Sequence, residues 1–374
     1  MADAEPFVAS GVVIALRLFD IAYEIDLVKA EQIWAEQSRA ASSRTRLNST
    51  PTKAVAFGVP PLELPLEPLV LRLGGRDFEV SVTARLYDFG AATFSLQVPA
   101  INLTWSTFTR LLNDVDRSVG PGSSTAIWNR LRDQLCSTFA ESFTRSVGSS
   151  VLSEDYLVGM VEAFNTPMNA ASLVDQVDLV PLLSGEERPL SEAARRDLLN
   201  RRFSYYTDDF VALTWDRAFI YEPRGDSDVL EVLEVANAQL LEMRYYDELL
   251  DAELPRMYQL VERMRRARSL MGSRRYANLA RRLYALVAEV TELTERVDNA
   301  LQVTEDVYLA RIYGSALELF RVATVSAAVE RKLAIIRDTY AALYEEASSS
   351  RAALMEAAIL ALIGLELVLA LLRR

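Results

Sequence analysis

The C-terminal stretch from Val322 to Arg374 constrains the fold most, because two helical patterns follow each other there without a proline between them. Apolar residues of its first half recur at alternating steps of three and four, which is the a/d pattern of a coiled coil. They are Val322, Val325, Val329, Leu333, Ile336, Tyr340, Leu343 and Ala347. Its second half, Ala352 to Leu372, is almost wholly apolar. As a helix, about 20 such residues rise roughly 30 Å, the thickness of a bilayer core.

Residues 352–374 therefore predict a hydrophobic C-terminal helix that crosses a membrane once. Two carboxylates, Glu356 and Glu366, interrupt it. A carboxylate at mid-bilayer costs roughly 2.5–3.5 kcal/mol on insertion scales, so we expect Glu366 to be neutral, paired or facing a pore rather than lipid. The alternative is that these apolar helices bury one another in the core of an oligomer.

Composition excludes several kinds of chemistry. Histidine is absent from all 374 residues, which rules out Ser-His-Asp and Cys-His catalysis and histidine-ligated zinc. The single cysteine, Cys136, leaves no internal disulfide and lies on an apolar helical face, where a buried inert thiol is expected. Only carboxylate sites for Mg²⁺ or Ca²⁺ remain, and we expect no cofactor. A net charge of −12 argues against a general nucleic-acid binder.

The first part of the chain, residues 1–222, predicts an α+β domain with a mostly antiparallel sheet and packed helices, ferredoxin-like or related. Period-two alternation is clearest from Asp77 to Tyr87, which places apolar residues on one face of a strand. The other strands are expected at 11–19, 53–58, 69–73, 91–98, 204–214 and 217–221. Helices are expected after Asp26, over 106–117, 125–147 and 155–164, and after Ser191.

Residues 223–351 predict a long antiparallel coiled-coil hairpin. Its first helix runs from about residue 226 to 269 and contains Pro255, which should kink it. The glycine turn at Gly272 leads into a second heptad helix. The seam expected to bury against other helices or other copies of the chain comprises Leu283, Leu286, Val290, Leu293, Val297, Leu333, Ile336, Tyr340 and Leu343.

The tip of this hairpin is basic. The residues singled out there are Arg263, Arg265, Arg266, Arg268, Arg274 and Arg275. One interpretation is a solvated tip, and the other is a contact with anionic lipid headgroups or RNA. Because stacking aromatics are not interleaved with these arginines, lipid or a protein carboxylate face is favoured over single-stranded nucleic acid.

Several strings in the C-terminal half resemble the Rmd/YagE family, named for "required for meiotic nuclear division". They are RYYDELLDAEL from Arg244, ELTERVDNALQVTEDVYLARIY from Glu292, the run from Glu330 to Leu372, and SYYTDDFVALTWDRAFIYEP from Ser204. The resemblance covers roughly residues 205–374. It implies a strand pair followed by long helices and a hydrophobic C-terminal helix. Eukaryotic members of that family are linked to mitochondria, one of them to mitochondrial translation at the inner membrane, and no enzymatic residues are established for the family.

Location follows from the two ends of the chain. The acidic N-terminus shows no secretory signal and no mitochondrial presequence pattern, so a bacterial member is expected. Its place would be the cytoplasmic side of the inner membrane, held by one C-terminal span. If the C-terminal helix is instead an oligomer core, the protein is expected to be soluble in the cytoplasm.

The function expected from this layout is a non-enzymatic, membrane-anchored scaffold. It would form a homo-oligomer through its long helices and hold an unidentified protein partner at the membrane surface. One alternative is an oligomeric ion channel or transporter with one membrane helix per subunit, similar in layout to the CorA magnesium channels. However, the chain lacks their second membrane helix and Gly-Met-Asn loop.

A second alternative is a carboxylate-based, metal-dependent enzyme. The candidate acids are the pairs Asp208–Asp209, Glu186–Glu187 and Glu305–Asp306. Neighbouring residues point to opposite faces of a strand and diverge by about 100° on a helix. Surface or capping roles are therefore expected for these acids.

Overall fold

The computed structural model describes residues 5–37, 43–44, 60–123, 126–146, 152–225, 228–266, 278–279, 281–285, 287–288, 290–291 and 307–372. Its contacts divide the chain into two compact units. Unit 1 comprises residues 1–242 and 296–323, and unit 2 comprises residues 243–295 and 324–374. The division falls inside two long helices, which each contribute to both units.

Unit 1 is built on one large sheet. Its strands and those of a small second sheet are β1 (Phe7–Asp20), β2 (Ala22–Ile25), β3 (Ser43–Arg44), β4 (Leu62–Leu73), β5 (Arg76–Leu86), β6 (Ala91–Pro99), β7 (Leu103–Thr104), β8 (Phe143–Ser146), β9 (Ser153–Phe164), β10 (Arg202–Phe203), β11 (Phe210–Leu213) and β12 (Arg217–Tyr221).

The large sheet has the order β10-β11-β12-β9-β1-β6-β5-β4-β3, with β7 pairing to β1, and β2 pairs separately with β8. Among the described strands every pairing is antiparallel except that of β9 with β12. The α+β class expected from the sequence is confirmed, whereas the ferredoxin-like arrangement stays a prediction.

The helices are α1 (Leu27–Gln37), α2 (Trp105–Val119), α3 (Ala126–Phe139), α4 (Ala170–Gln176), α5 (Val180–Ser184), α6 (Glu192–Leu198), α7 (Val229–Arg266), α8 (Val307–Leu319) and α9 (Val322–Leu372). Several of these helices have a side chain that caps their N-terminus. Asp26 Oδ1 accepts from the amides of Val28 and Lys29 at the start of α1, as predicted. Ser191 caps α6, also as predicted. The long helix α7 continues through Pro255.

The helix predicted over 155–164 is wrong, because this segment is β9, a central strand between β1 and β12. Tyr156, Leu157, Val158 and Val161 are all buried there. A strand that is covered on both faces reads as a continuous apolar run, and such a run cannot be separated from a buried helix by periodicity alone.

Two further predictions had wrong ends. The helix expected over 125–147 ends as α3 at Phe139, and a 3-10 turn at Ala140–Ser142 leads into β8. Of the strand expected over 204–214, only Phe210–Leu213 forms a strand, β11. The residues before it form a turn around Asp209. The carboxylate of Asp209 accepts from the amides of Tyr205 and Tyr206. The strand expected at 53–58 lies outside the described residues.

The centre of the large sheet, at β1 and β9, is buried on both faces. One face packs against α2 and α3 through Phe94, Leu96, Phe108, Leu112 and Trp128. On the other face, the ring of Tyr156 meets Phe320, which follows α8, at a centroid distance of 5.4 Å. The first part of α7 reaches the same face through Glu234, whose Oε1 accepts from the hydroxyl of Tyr87 over 2.7 Å.

Candidate functional site

An open groove of about 630 Å³ lies on unit 1, between α2 and the segment from α5 to α6. On α2 the polar lining residues are separated mostly by steps of three and four, which places them along one face of the helix. They are Ser106, Thr109, Arg110, Asn113 and Arg117. The opposite face of α2 is apolar and faces the sheet. One wall of the groove is therefore the polar face of a helix whose other side is fixed in the core.

Arg217 holds the two walls of this groove together. It is buried, and its Nη1 donates to Asn113 Oδ1 at 2.6 Å and to the carbonyl of Leu182 at 3.0 Å. Its Nη2 pairs with Asp116 on α2. Gly185 ends α5 with φ of 69°, and a Cβ at this position would lie 2.5 Å from Arg217 Nη2. The arginine thus fixes the loop after α5 against α2, and only glycine fits the close approach.

The arginines of the groove fall into two classes. Arg195 pairs with Asp178 at 3.0 Å, and Arg117 pairs with Asp114 and approaches Glu187 to 3.6 Å. Arg110 and Arg188 also line the groove, and neither has an ion pair or hydrogen bond among the described residues. Two guanidinium groups are therefore available to a ligand in the groove.

A hydroxyl in the groove also has no partner in the described part of the chain. Thr109 is only 8% exposed, and its Oγ1 is buried without a hydrogen bond. A buried hydroxyl that makes no hydrogen bond costs about 1–3 kcal/mol. Thr109 lines the groove, so a bound group or water that reaches this oxygen would remove the cost.

A second polar cluster is buried between the sheet and α7. Arg85 on β5 contacts Glu63 on β4 at 2.9 Å and two carboxylates of α7, Glu231 at 3.7 Å and Glu234 at 2.6 Å. Burial lowers the pKa of Arg85, but the surrounding carboxylates raise it well above its usual value. Burial, and then the charge of Glu234, raise the pKa of Tyr87. One permanent cation thus faces three carboxylates.

Asp20 lies on the same face of the sheet, at the end of β1. It is 5% exposed, its Oδ2 makes no hydrogen bond among the described residues, and burial raises its pKa from 3.8 to about 7. Thr93 and Ser95, two apart on β6, also bury unpartnered hydroxyls there. Burial, opposed by Arg85, raises the pKa of Glu231 to about 7 as well. This face therefore holds two acids, Asp20 and Glu231, whose pKa values lie near neutral pH.

In unit 2, part of the predicted seam is described. Leu283, Val290, Ile336 and Leu343 are buried, and Leu333 and Tyr340 are half-buried. The ring of Tyr340 lies 5.7 Å from that of Tyr284. Leu286, Leu293 and Val297 lie outside the described residues.

The ion pairs of Lys332 connect the two long helices within unit 2. Its Nζ lies 2.7 Å from Asp247 Oδ1 and 2.6 Å from Asp251 Oδ1. Asp247 and Asp251 are one turn apart on α7 and Lys332 faces them from α9, so the contact fixes the register between the helices.

The predicted basic tip is not described at side-chain level. Arg268, Arg274 and Arg275 lie outside the described residues, as do the side chains of Arg263, Arg265 and Arg266. The lipid or RNA contact proposed for the tip therefore stays a prediction.

The end of α9 presents apolar side chains to the surroundings. Ile359, Leu360, Leu362 and Ile363 are 54%, 65%, 64% and 50% exposed. Glu356 is also exposed, and it lies one turn before them. The side chain of Glu366 is outside the described residues. No single helix in the described part is long and apolar enough to cross a membrane. The helices Val307–Leu319 and Val322–Glu345, bent by 62°, reach that length and apolarity only when taken together.

The candidate catalytic acids have structural or surface positions where they are described. Asp208 lies 3.6 Å from Arg224, Asp209 caps a turn, and Glu187 approaches Arg117. Glu305 and Asp306 lie outside the described residues. The described residues contain no group of three or more acidic or cysteine side chains that could hold a metal ion. Cys136 is half-buried, and burial raises the pKa of its thiol.

Sequence reasoning missed both the groove and the buried cluster. The polar residues of α2 were indistinguishable from a solvated helix face, because their partner segment from α5 to α6 follows about 70 residues later. The sequence held one signal for the groove, the charged run in which Arg188 directly follows the acidic pair Glu186–Glu187. For the buried cluster, the signal was the spacing of three between Glu231 and Glu234, which places both carboxylates on one face of α7.

Comparisons with known proteins point to one family. A family model described as "Uncharacterized protein MJ0711, N-terminal domain" matches residues 10–228. Uncharacterized protein MJ0711 of Methanocaldococcus jannaschii is 26% identical over 194 residues, which are 52% of this chain and 58% of that protein. The chain thus matches less than two thirds of the length of this relative. No solved structure matches. The whole groove lies within the matched residues.

Proposed function

We propose that this chain, which belongs to the MJ0711 N-terminal domain family, is a non-enzymatic scaffold anchored to a membrane by the end of α9. Unit 1 would present a protein partner at the membrane surface. The long helices of unit 2 would join copies of the chain into a homo-oligomer. The resemblance to the Rmd/YagE family, with its hydrophobic C-terminal helix, is consistent with this proposal.

The observation that carries the proposal is the exposure of Ile359, Leu360, Leu362 and Ile363. At 100° per residue these four positions cover an arc of about 160°. Fully burying one such side chain is worth about 1.5–3 kcal/mol, so leaving four of them in water is costly. An apolar patch of this kind marks a site of contact with a membrane or another protein.

Lipid is favoured over a second protein surface by the length and composition of the segment. Residues 352–372 contain only two charged side chains and end at Arg373 and Arg374. Twenty-one residues at 1.5 Å each span about 31 Å, which matches a bilayer core. Glu356 lies near the start of the segment, where a carboxylate can reach the interface.

The preceding part of α9 is held differently. Val329, Ile336 and Leu343 are buried at heptad spacing, as expected of a helix that packs on others along one seam. The same helix thus changes from one buried stripe to broad apolar exposure. This change supports a helix that begins in a helical bundle and ends in lipid.

The experiment compares two double variants of the full chain in a membrane fraction washed with carbonate. Leu360→Lys with Leu362→Lys adds two charges to the apolar segment, at roughly 2.5–3.5 kcal/mol each in a bilayer. We expect this variant to leave the membrane pellet. The control, Val70→Lys with Ile101→Lys, changes two exposed apolar residues of unit 1 and should stay in the pellet.

Two results would contradict the proposal. One is retention of both variants in the washed pellet. The other is a wild-type chain that is recovered without detergent as an oligomer, which would mean that a second copy covers the apolar end of α9.

A further inference from the structure

We propose that the groove between α2 and the segment from α5 to α6 binds a ligand that carries a phosphate group. This inference does not rest on the membrane anchor, because the groove belongs to unit 1 and the apolar end of α9 to unit 2. It rests on the hydrogen-bonding groups that line the groove and on the partners they already have.

Two arginines supply the positive charge. Arg110 and Arg188 are exposed, line the groove and have no carboxylate partner in the described part of the chain. A guanidinium carries its donors in a planar fork that fits two oxygens of a phosphate at once. Arg110 belongs to the α2 wall of the groove and Arg188 to the opposite segment, so a ligand in the groove has a guanidinium group on each side.

Neutral donors complete the site. Asn113 accepts from Arg217 through Oδ1, so its amide nitrogen is the end left to donate. The hydroxyl of Thr109 is buried and unpartnered. The hydroxyl of Ser184 accepts from the amide of Glu186, which leaves its own hydrogen free. Each of these groups has a hydrogen to give, so the ligand that satisfies them must be rich in acceptors.

The carboxylates of the groove are mostly neutralised within the protein. Asp178 is paired with Arg195, and Glu187 lies beside Arg117. Glu186 is the remaining acid of the lining, against the two available arginines. The lining has four arginines and three carboxylates, and Asp114 beside it also pairs with Arg117, so the positive charge available to an anion is that of Arg110 and Arg188.

The volume sets the size of the ligand. A groove of about 630 Å³ lies in the range of small-molecule sites, about 300–1,000 Å³. A phosphate group alone would leave much of this space empty. The apolar part of the lining, which includes Trp105, Val180 and Pro181, suits an organic portion attached to the phosphate. The source is either a soluble phosphorylated molecule or a lipid headgroup.

The test is titration calorimetry on the full chain in detergent, with inorganic pyrophosphate and with dihexanoyl phosphatidic acid below its micelle concentration. We expect at least one probe to bind with a Kd below ~1 mM, and the tighter probe identifies the source. In Arg110→Gln with Arg188→Gln, binding should weaken at least tenfold. The control, Arg72→Gln with Arg130→Gln, removes two exposed arginines away from the groove and should leave binding unchanged.

Thr109→Val provides a readout that a purely structural hydroxyl would not give. Valine has nearly the same shape and lacks the unpartnered hydroxyl, so the variant should fold with unchanged or higher stability while its affinity for the probe falls several-fold. The proposal is overturned if neither probe binds, if the arginine pair and its control bind equally, or if Thr109→Val binds as tightly as the wild type.

Discussion

Arg85 Nη1 lies 2.6 Å from Glu234 Oε2, so an arginine of β5 and a glutamate of α7 form an ion pair between the sheet and the helix. Both side chains are largely buried, and Glu63, Tyr87 and Glu231 surround them. Removing one partner of a buried pair leaves the other charge uncompensated.

Arg85→Met is therefore expected to lower the free energy of unfolding by about 3–5 kcal/mol, measured by chemical denaturation of the full chain in detergent. The matched control is Arg72→Met on the neighbouring strand β4, where the arginine is exposed; we expect a change within about 0.5 kcal/mol. Equal effects of the two substitutions would show that the pair does not connect α7 to the sheet energetically.

The protonation of Asp20 predicts a pH dependence of stability. Its pKa is raised from 3.8 to about 7 by burial, so between these values the folded chain binds more protons than the unfolded chain. The contribution of Asp20 to the free energy of unfolding is fully present below pH about 4, decreases as the pH rises, and is lost above pH about 7. The pKa of Glu231 is also raised, so Glu231 adds to the decrease of stability with rising pH.

Asp20→Asn removes this group from the titration. At about 1.36 kcal/mol per pKa unit, the variant should gain on the order of 4 kcal/mol relative to wild type on going from pH 4 to pH 8. Denaturation curves at several pH values measure this difference. A wild type and variant with parallel pH profiles would show that Asp20 is already ionised in the folded chain at neutral pH.

Adjacent isoleucines of α9 test the packing of unit 2. Ile336 is 1% exposed and Ile335 is 41% exposed, although they are neighbours of identical chemistry. Ile336→Ala should cost about 2–5 kcal/mol because it leaves a cavity, whereas Ile335→Ala should cost less than about 0.5 kcal/mol. The loss of helical signal on heating, followed for both variants, measures the difference. A larger effect at Ile335 would mean that another copy of the chain covers the outer face of the helix.

The sequence predicted best where one face of an element is buried and the other is solvated. β5 alternates in this way and was placed within a residue. β9 was mistaken for a helix because it is covered on both faces, which removes the alternation. Local patterns report one element at a time, so they identify an amphipathic strand or helix but cannot show which neighbours bury it.

The candidate site was harder to predict for the same reason. The groove joins α2 to residues near Arg188 through the buried Arg217, three segments that are far apart in the sequence. The spacing of three on α2 indicates that Asp114 can pair with Arg117, but nothing in the local sequence shows that Arg195 has a carboxylate partner while Arg110 and Arg188 have none. That difference decides whether an anion can bind, and it arises only when the chain is folded.

The most direct test of the membrane anchor is a depth measurement at Leu360. With Cys136→Ser to remove the native thiol, Leu360→Cys carries a nitroxide label in full-length chain reconstituted into liposomes, and Val70→Cys carries it in a control on unit 1. We expect the label at position 360 to collide readily with oxygen and poorly with a water-soluble nickel complex, and the label at position 70 to show the reverse. Equal access of nickel to both labels would contradict this expectation and place the end of α9 outside the bilayer.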